Sequence, residues 1–167
     1  KIDDQDPYAL IWLGGYYLSL RQYEKAISEV ERAITFNPNY ATGYAFLAAT
    51  LFCSGRFDEA LTMMKKAYRL NQNLSPNWLA MLARIYSHLG RYEEALEVCN
   101  QLHEQTSRYD FPSWWTPLRF SIIYQQLGRE DEARTYMAEA LKFNPELSIE
   151  KFKLSERFKN PSHLQRE

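Results

Sequence analysis

The chain has 167 residues, enough for one ordinary domain with a sizeable core. Its residues are 46% hydrophobic and 25% charged, with only six Gly, which excludes a disordered or linker-rich polymer. Lys and Arg number 20 against 21 Asp and Glu, a formal charge of −1, so the basic footprint of a general nucleic-acid binder is missing.

In chain order, apolar residues at i, i+3, i+4 and i+7 predict eight helices in pairs. They span about 8–20 and 23–36, 41–54 and 57–70, 76–89 and 92–106, and 114–127 and 130–143. Similar short segments join the members of each pair. They are Leu20-Arg21-Gln22-Tyr23-Glu24-Lys25-Ala26, Ser54-Gly55-Arg56-Phe57-Asp58-Glu59-Ala60, Leu89-Gly90-Arg91-Tyr92-Glu93-Glu94-Ala95 and Leu127-Gly128-Arg129-Glu130-Asp131-Glu132-Ala133. Their closing alanines are 34, 35 and 38 residues apart. Glu24, Asp58, Glu93 and Asp131 fall in the first turn of each second helix, where the helix dipole favours them. Gly55, Gly90 and Gly128 stand where the first helix must end, and Arg21 takes that place in the first pair.

A period near 34 with two helices per unit resembles the tetratricopeptide repeat (TPR), over about residues 7 to 147. The motif residues in the first repeat are Leu10, Leu13, Gly14, Tyr17, Ala26, Val30, Ala33 and Pro38. The second has Tyr44, Leu47, Ala48, Leu51, Ala60, Met64 and Ala67, with Gln72 in place of Pro. The third has Leu79, Leu82, Ala83, Tyr86, Ala95 and Cys99, with Leu102 for the second Ala. The fourth has Pro117, Phe120, Ser121, Tyr124, Ala133, Met137, Ala140 and Pro145. The resemblance implies an all-α, right-handed superhelical solenoid of four hairpins with a C-terminal capping helix.

The repeats then divide as 7–40, 41–74, 76–109 with a loop extended to 113, and 114–147. Residues 1–6 align with the tail of the first repeat and imply a further repeat upstream. Residues 148–167 hold a capping helix, with Ser148 as N-cap and Ile149, Phe152 and Phe158 on one side, then the start of another helix. Phe158 to Arg166 resembles the tail of TPR arrays in bacterial signalling proteins that carry nucleotide cyclase or DNA-binding domains. In the 107–113 loop and just after it, Tyr109, Phe111, Trp114 and Trp115 either cover the edge of the third repeat or anchor a partner.

No constellation for catalysis emerges, so no enzyme activity and no cofactor are expected. His103-Glu104 opens like HExxH, but Ser107 stands where the second His belongs. Cys53 and Cys99 are 46 residues apart in no metal pattern, which points to buried thiols in a reducing, cytoplasmic setting. No membrane association is expected, since the most apolar run, Ala45 to Cys53, is far shorter than the ~20 residues a span needs.

In the family, the first helix of each hairpin lines the concave face. The resemblance therefore implies a groove lined by Tyr8 and Ile11 in the first repeat and by Ala45, Ala49 and Phe52 in the second. The third contributes Asn77, Ala80, Arg84 and His88, and the fourth Trp115, Leu118, Ile122 and Gln125. Chaperone-binding relatives hold acidic tails with Lys and Asn where this chain has Ile11, Gly15, Ala45, Ala49 and Ala80, so that clamp is absent. The apolar residues Ile11, Ala45, Ala80 and Leu118 also cannot read base edges, which argues against nucleic acid. The expected partner is a protein or peptide with apolar anchors, such as an amphipathic helix, or a second copy of the chain. A rigid spacer that positions a neighbouring domain is the alternative.

Overall fold

The computed structural model describes residues 6–73, 75–107 and 114–147. The upstream tail at 1–5, the loop at 108–113 and the capping helix at 148–167 lie outside the described residues. Eight helices are present, with no strand among the described residues: α1 (Pro7–Ser19), α2 (Tyr23–Phe36), α3 (Ala41–Cys53), α4 (Phe57–Leu70), α5 (Pro76–His88), α6 (Tyr92–Ser107), α7 (Trp115–Gln126) and α8 (Glu130–Phe143). Every boundary falls within one residue of the expectation from periodicity. Two starts have visible causes. Asp6 caps α1 by accepting the Tyr8 N–H at 3.0 Å, and Pro7 and Pro76 occupy the first helical turn, where a missing N–H does no harm.

All four turns within the pairs have one geometry. In the first, the Gln22 N–H donates to the Tyr17 carbonyl and the Arg21 N–H to the Leu18 carbonyl, both at 2.9 Å, satisfying carbonyls the helix end leaves open. Arg56, Arg91 and Arg129 make the same long bond to Leu51, Tyr86 and Tyr124, each at 2.9 Å. The motif requires a left-handed residue, and Gly55, Gly90 and Gly128 supply it with φ of 84°, 71° and 71°. Arg21 adopts φ 57°, as its alignment with those glycines implied.

The chain divides into two compact units, Lys1–Leu74 and Ser75–Glu167, each of two hairpins. In the first unit α1 pairs with α2, α3 pairs with α4, and α2 packs on α3. The α1–α2 crossing is tight: a Cβ on Gly14 would lie 2.7 Å from Val30 Cγ2 and 3.3 Å from the Ala26 carbonyl oxygen. Ala26, Val30 and Ala33 are all fully buried there, so small residues let the backbones approach while larger ones fill the flanks. Thr50, buried within α3, satisfies its hydroxyl by donating to the Phe46 carbonyl at 2.9 Å.

The second unit repeats the plan, with α5 on α6, α7 on α8, and α6 against α7. Its core holds a ring stack in which Phe120 lies 4.7 Å from Tyr136 and Tyr124 lies 5.5 Å from Tyr136. Cys99 is fully buried in this core, and burial pushes its thiol up to about 11, against the opposing pull of Arg119. Cys53 corrects the expectation of two buried thiols. As the last residue of α3 it is only half-buried.

Candidate protein-binding surface

The thirteen residues expected in the groove fall into three groups. Ile11, Ala45, Ala49, Phe52 and Leu118 are buried, with at most 8% of their surface accessible. Ala80, Arg84 and Ile122 are half-buried, and Tyr8, Asn77, His88, Trp115 and Gln125 are exposed.

The first unit closes over its own first helices. Phe46 of α3 sits so that a Cβ on Gly15 of α1 would meet the ring at 3.3 Å. Phe52 turns toward α4, where its ring packs 5.3 Å from that of Phe57. The alanines at 45 and 49 end at Cβ, so neither reaches past such neighbours. Of this unit's five groove residues only Tyr8 is exposed, and it packs edge-on to Tyr40 at 5.3 Å. Burial, helped by Tyr8 and Asp6, raises the pKa of Tyr40, so its phenol stays a neutral donor at physiological pH.

The second unit presents longer side chains. On α5, Asn77, Arg84 and His88 stand seven and four residues apart, and His88 Nδ1 lies 3.0 Å from the Arg84 carbonyl oxygen. Arg84 is half-buried, with its Nη2 nitrogen drawn out of solvent. On α7, Trp115 leaves 45% of its surface open and stacks on Trp114 with centroids 4.0 Å apart. Ile122 and Gln125 continue that helix toward its C-terminus. The combination is an aromatic anchor, an aliphatic patch and several donors. No group of three His, Cys, Asp or Glu that could hold a metal occurs among the described residues. No described helix is long and apolar enough to cross a membrane.

Two features escaped the sequence reading. One is a clasp behind each glycine turn, built on the spacing Gly-Arg-x-x-Glu. Arg56 bonds Glu59 at 2.6 and 2.7 Å and Arg129 bonds Glu132 at 2.5 and 2.8 Å, while Arg91 grips Glu94 in the same way. Arg91 and Arg129 also lie over the Tyr86 and Tyr124 rings, at 4.9 and 4.6 Å. These bonds hold the Glu59 and Glu132 carboxyls below their ordinary value. The signal was available in the three aligned turn segments. The other feature is a row of exposed large residues on α1, Trp12 and Tyr16 among them, at positions outside the repeat motif.

Three family models, each described as tetratricopeptide repeat, match residues 8–73, 51–116 and 118–147. Among curated proteins, the BBSome complex member BBS4 of Bos taurus is 27% identical over 135 residues, which is 81% of this chain and 25% of that protein. The small glutamine-rich tetratricopeptide repeat-containing protein 2 of Saccharomyces cerevisiae is 28% identical over 92 residues, 55% of this chain and 26% of that protein. The chain thus spans about a quarter of the length of the curated relatives it matches. Among solved structures, MamA superposes with a TM-score of 0.73 at 20% identity, covering 86% of this chain and 81% of that one. YrrB, described as a TPR protein with an unusual peptide-binding site, gives 0.71 at 20% identity, covering 86% and 71%. With the repeated hairpins and their shared turn geometry, these matches show that the chain belongs to the tetratricopeptide-repeat family and has its all-α solenoid fold.

Proposed function

We propose that the chain is a protein-interaction module that holds a peptide or amphipathic helix along α5 and α7, the first helices of its second unit. The observation that carries the proposal is Trp115, an aromatic side chain 45% open to solvent, in the same unit as exposed Asn77, His88 and Gln125. Aromatic residues bury much area with little loss of rotamer freedom, which makes them common anchors of binding. The ligand chemistry that fits is an apolar side chain on Trp115 and Ile122, with a carboxylate for the Arg84 guanidinium. That the similar fold of YrrB carries a peptide-binding site supports the reading. The resemblance of Phe158 to Arg166 to bacterial signalling tails supports a place within a larger signalling protein.

The test is selection of peptides on the intact chain, followed by calorimetry with Trp115→Ala and Arg84→Ala. Loss of the anchor should weaken a selected peptide at least tenfold, or about 1.4 kcal/mol, with the fold retained by circular dichroism. Equal affinity for both variants and the parent would refute this surface. A second reading, the rigid spacer, draws on the first unit, whose Ala45, Ala49 and Phe52 are enclosed by the chain's own side chains. Under that reading no selected peptide binds, and stability responds to hairpin-packing substitutions alone.

A further inference from the structure

The first helix, α1, exposes Tyr8 at 61%, Trp12 at 80% and Tyr16 at 59%, and its C-cap Leu20 is open at 48%. Each stands four residues after the last, so the side chains form one continuous ridge, about 18 Å long at 1.5 Å per residue. Shorter residues flank it, Ala9 on one side and Ser19 on the other, and neither is buried. Stacking of hairpins within one chain does not account for the whole ridge. The counterparts of Tyr8 in α3 and α7 are Thr42 and Trp115, and both stay exposed with a preceding hairpin packed in the same unit. The counterparts of Tyr16, Thr50 and Ile123, are 0% and 2% exposed and much smaller. A ridge of full-length rings that begins at Tyr8 calls for a contact running along the helix itself.

Two properties of the ridge identify its occupant. The first is charge: from Pro7 to Leu20 the helix and its cap contain no Asp, Glu, Lys, Arg or His. In a two-fold contact the same patch serves both partners, and a group near the axis meets its own copy. A charged face would repel itself there, whereas an uncharged one does not. The second property is size. At about 150–250 Å² per aromatic side chain, the open part of the ridge offers about 500 Å² per copy. Two copies would bury about 1,000 Å² together, the area a specific interface has to reach.

We infer that α1 is a self-association surface on which a second copy of this chain docks its own α1, ridge beside ridge across a two-fold axis. Ridges built on four-residue spacing interdigitate when two helices cross at about −50°. The two helices run in opposite senses. That order opposes their dipoles and brings the Asp6 end of each toward the Arg21 end of the other. With the axis at the middle of the ridge, Trp12 of one copy faces Tyr16 of the other. The inference is separate from the α5 and α7 surface and stands or falls without it.

The test is sedimentation velocity on the intact chain from micromolar to submillimolar concentration, where monomer should give way to dimer. Trp12→Lys and Tyr16→Glu should each weaken the dimer at least tenfold. Both side chains are more than half exposed, so helical content by circular dichroism should stay that of the parent. An equimolar mixture of the two variants should dimerise more tightly than either alone, because the introduced ammonium and carboxylate then face each other across the contact. A chain that stays monomeric throughout would overturn the inference, and so would a dimer that Trp12→Lys leaves intact. A mixture no tighter than its components would overturn the two-fold pairing of Trp12 with Tyr16. Labelling with 5-fluorotryptophan separates the remaining occupants, with the Trp12 resonance assigned by its loss in Trp12→Lys. Its broadening should grow with concentration alongside the dimer. A Trp12 resonance shielded from a soluble paramagnetic probe in the monomer would give the face to another part of the same chain and overturn the proposal.

Discussion

Arg21→Gly should stabilise the protein. Arg21 is the one non-glycine residue with positive φ among the described residues, at 57°, in a turn whose three counterparts are all glycine. A Cβ at Gly90 or Gly128 would meet nothing within 4 Å, so space is not the obstacle at this kind of turn. What an L-residue meets there is its own backbone, at roughly 1–2 kcal/mol. Glycine removes that strain but adds freedom to the unfolded chain, which offsets about 0.4–1 kcal/mol. The net gain is about 0.5–1 kcal/mol, or roughly 1–4 °C in melting temperature for a chain of this size. The Arg21 side chain has contacts of its own, so the clean comparison is with Arg21→Ala, which loses them and keeps the strained φ. Thermal unfolding by circular dichroism should rank Gly above Ala by that margin, and Gly90→Ala should lose a similar amount. An Arg21→Gly variant that melts no higher than Arg21→Ala would refute the account of this turn.

The two adjacent glycines of α1 should respond in opposite directions. Gly14→Ala overpacks the crossing against the stiff Val30 and the Ala26 backbone, and about 1–3 kcal/mol of strain should outweigh roughly 1 kcal/mol of helix propensity in denaturant melts. Gly15→Ala meets only the tip of the Phe46 ring, which can swing aside, so the same propensity gain of up to about 1 kcal/mol should survive. In native protein at pH 8 a thiol-specific reagent should modify Cys53 readily and leave Cys99 until denaturant is added, because burial keeps Cys99 protonated to about 11. Glu59 and Glu132 are held below 4.5 in the folded state by their Arg partners, so their contribution is complete above the unfolded value and fades as pH falls through the folded one. The double variant Arg56→Gln, Arg129→Gln should thus melt below the parent at pH 7, and the difference should close as the pH is lowered toward 3.

Helices and turns were legible because their causes are local. Period 3.6 places Leu10, Leu79 and Phe120 on buried faces whatever lies around them, and the turn needs a left-handed residue wherever the hairpin bends. The candidate site was less legible because exposure is decided by neighbours. Counting along the motif puts Ala45, Ala49 and Phe52 on the same side as Asn77 and His88, yet it cannot say that Phe46 already fills the space beside Gly15. The same arithmetic passed over Trp12. Its register place is half-buried in α3 and α7, and only the structure shows that nothing described covers it in α1. The Arg–Glu clasps were missed for another reason: the acids assigned to the helix dipole, Asp58, Glu93 and Asp131, stand one residue before Glu59, Glu94 and Glu132, which the arginines grip.

On the proposed function, side-chain length is what sets the two units apart. In a hairpin stack the first helices lie close together, so a residue at a groove position reaches a ligand only when its side chain outgrows the neighbours. Alanine at 45 and 49 cannot, and those helices close over themselves. Asn77, His88, Trp115 and Gln125 do extend beyond their helices, with Arg84 partly so. A ligand bound on this row would meet polar and aromatic groups in place of the aliphatic floor that the motif arithmetic suggested. Its affinity should then depend on Trp115 for buried area and on Arg84 for orientation.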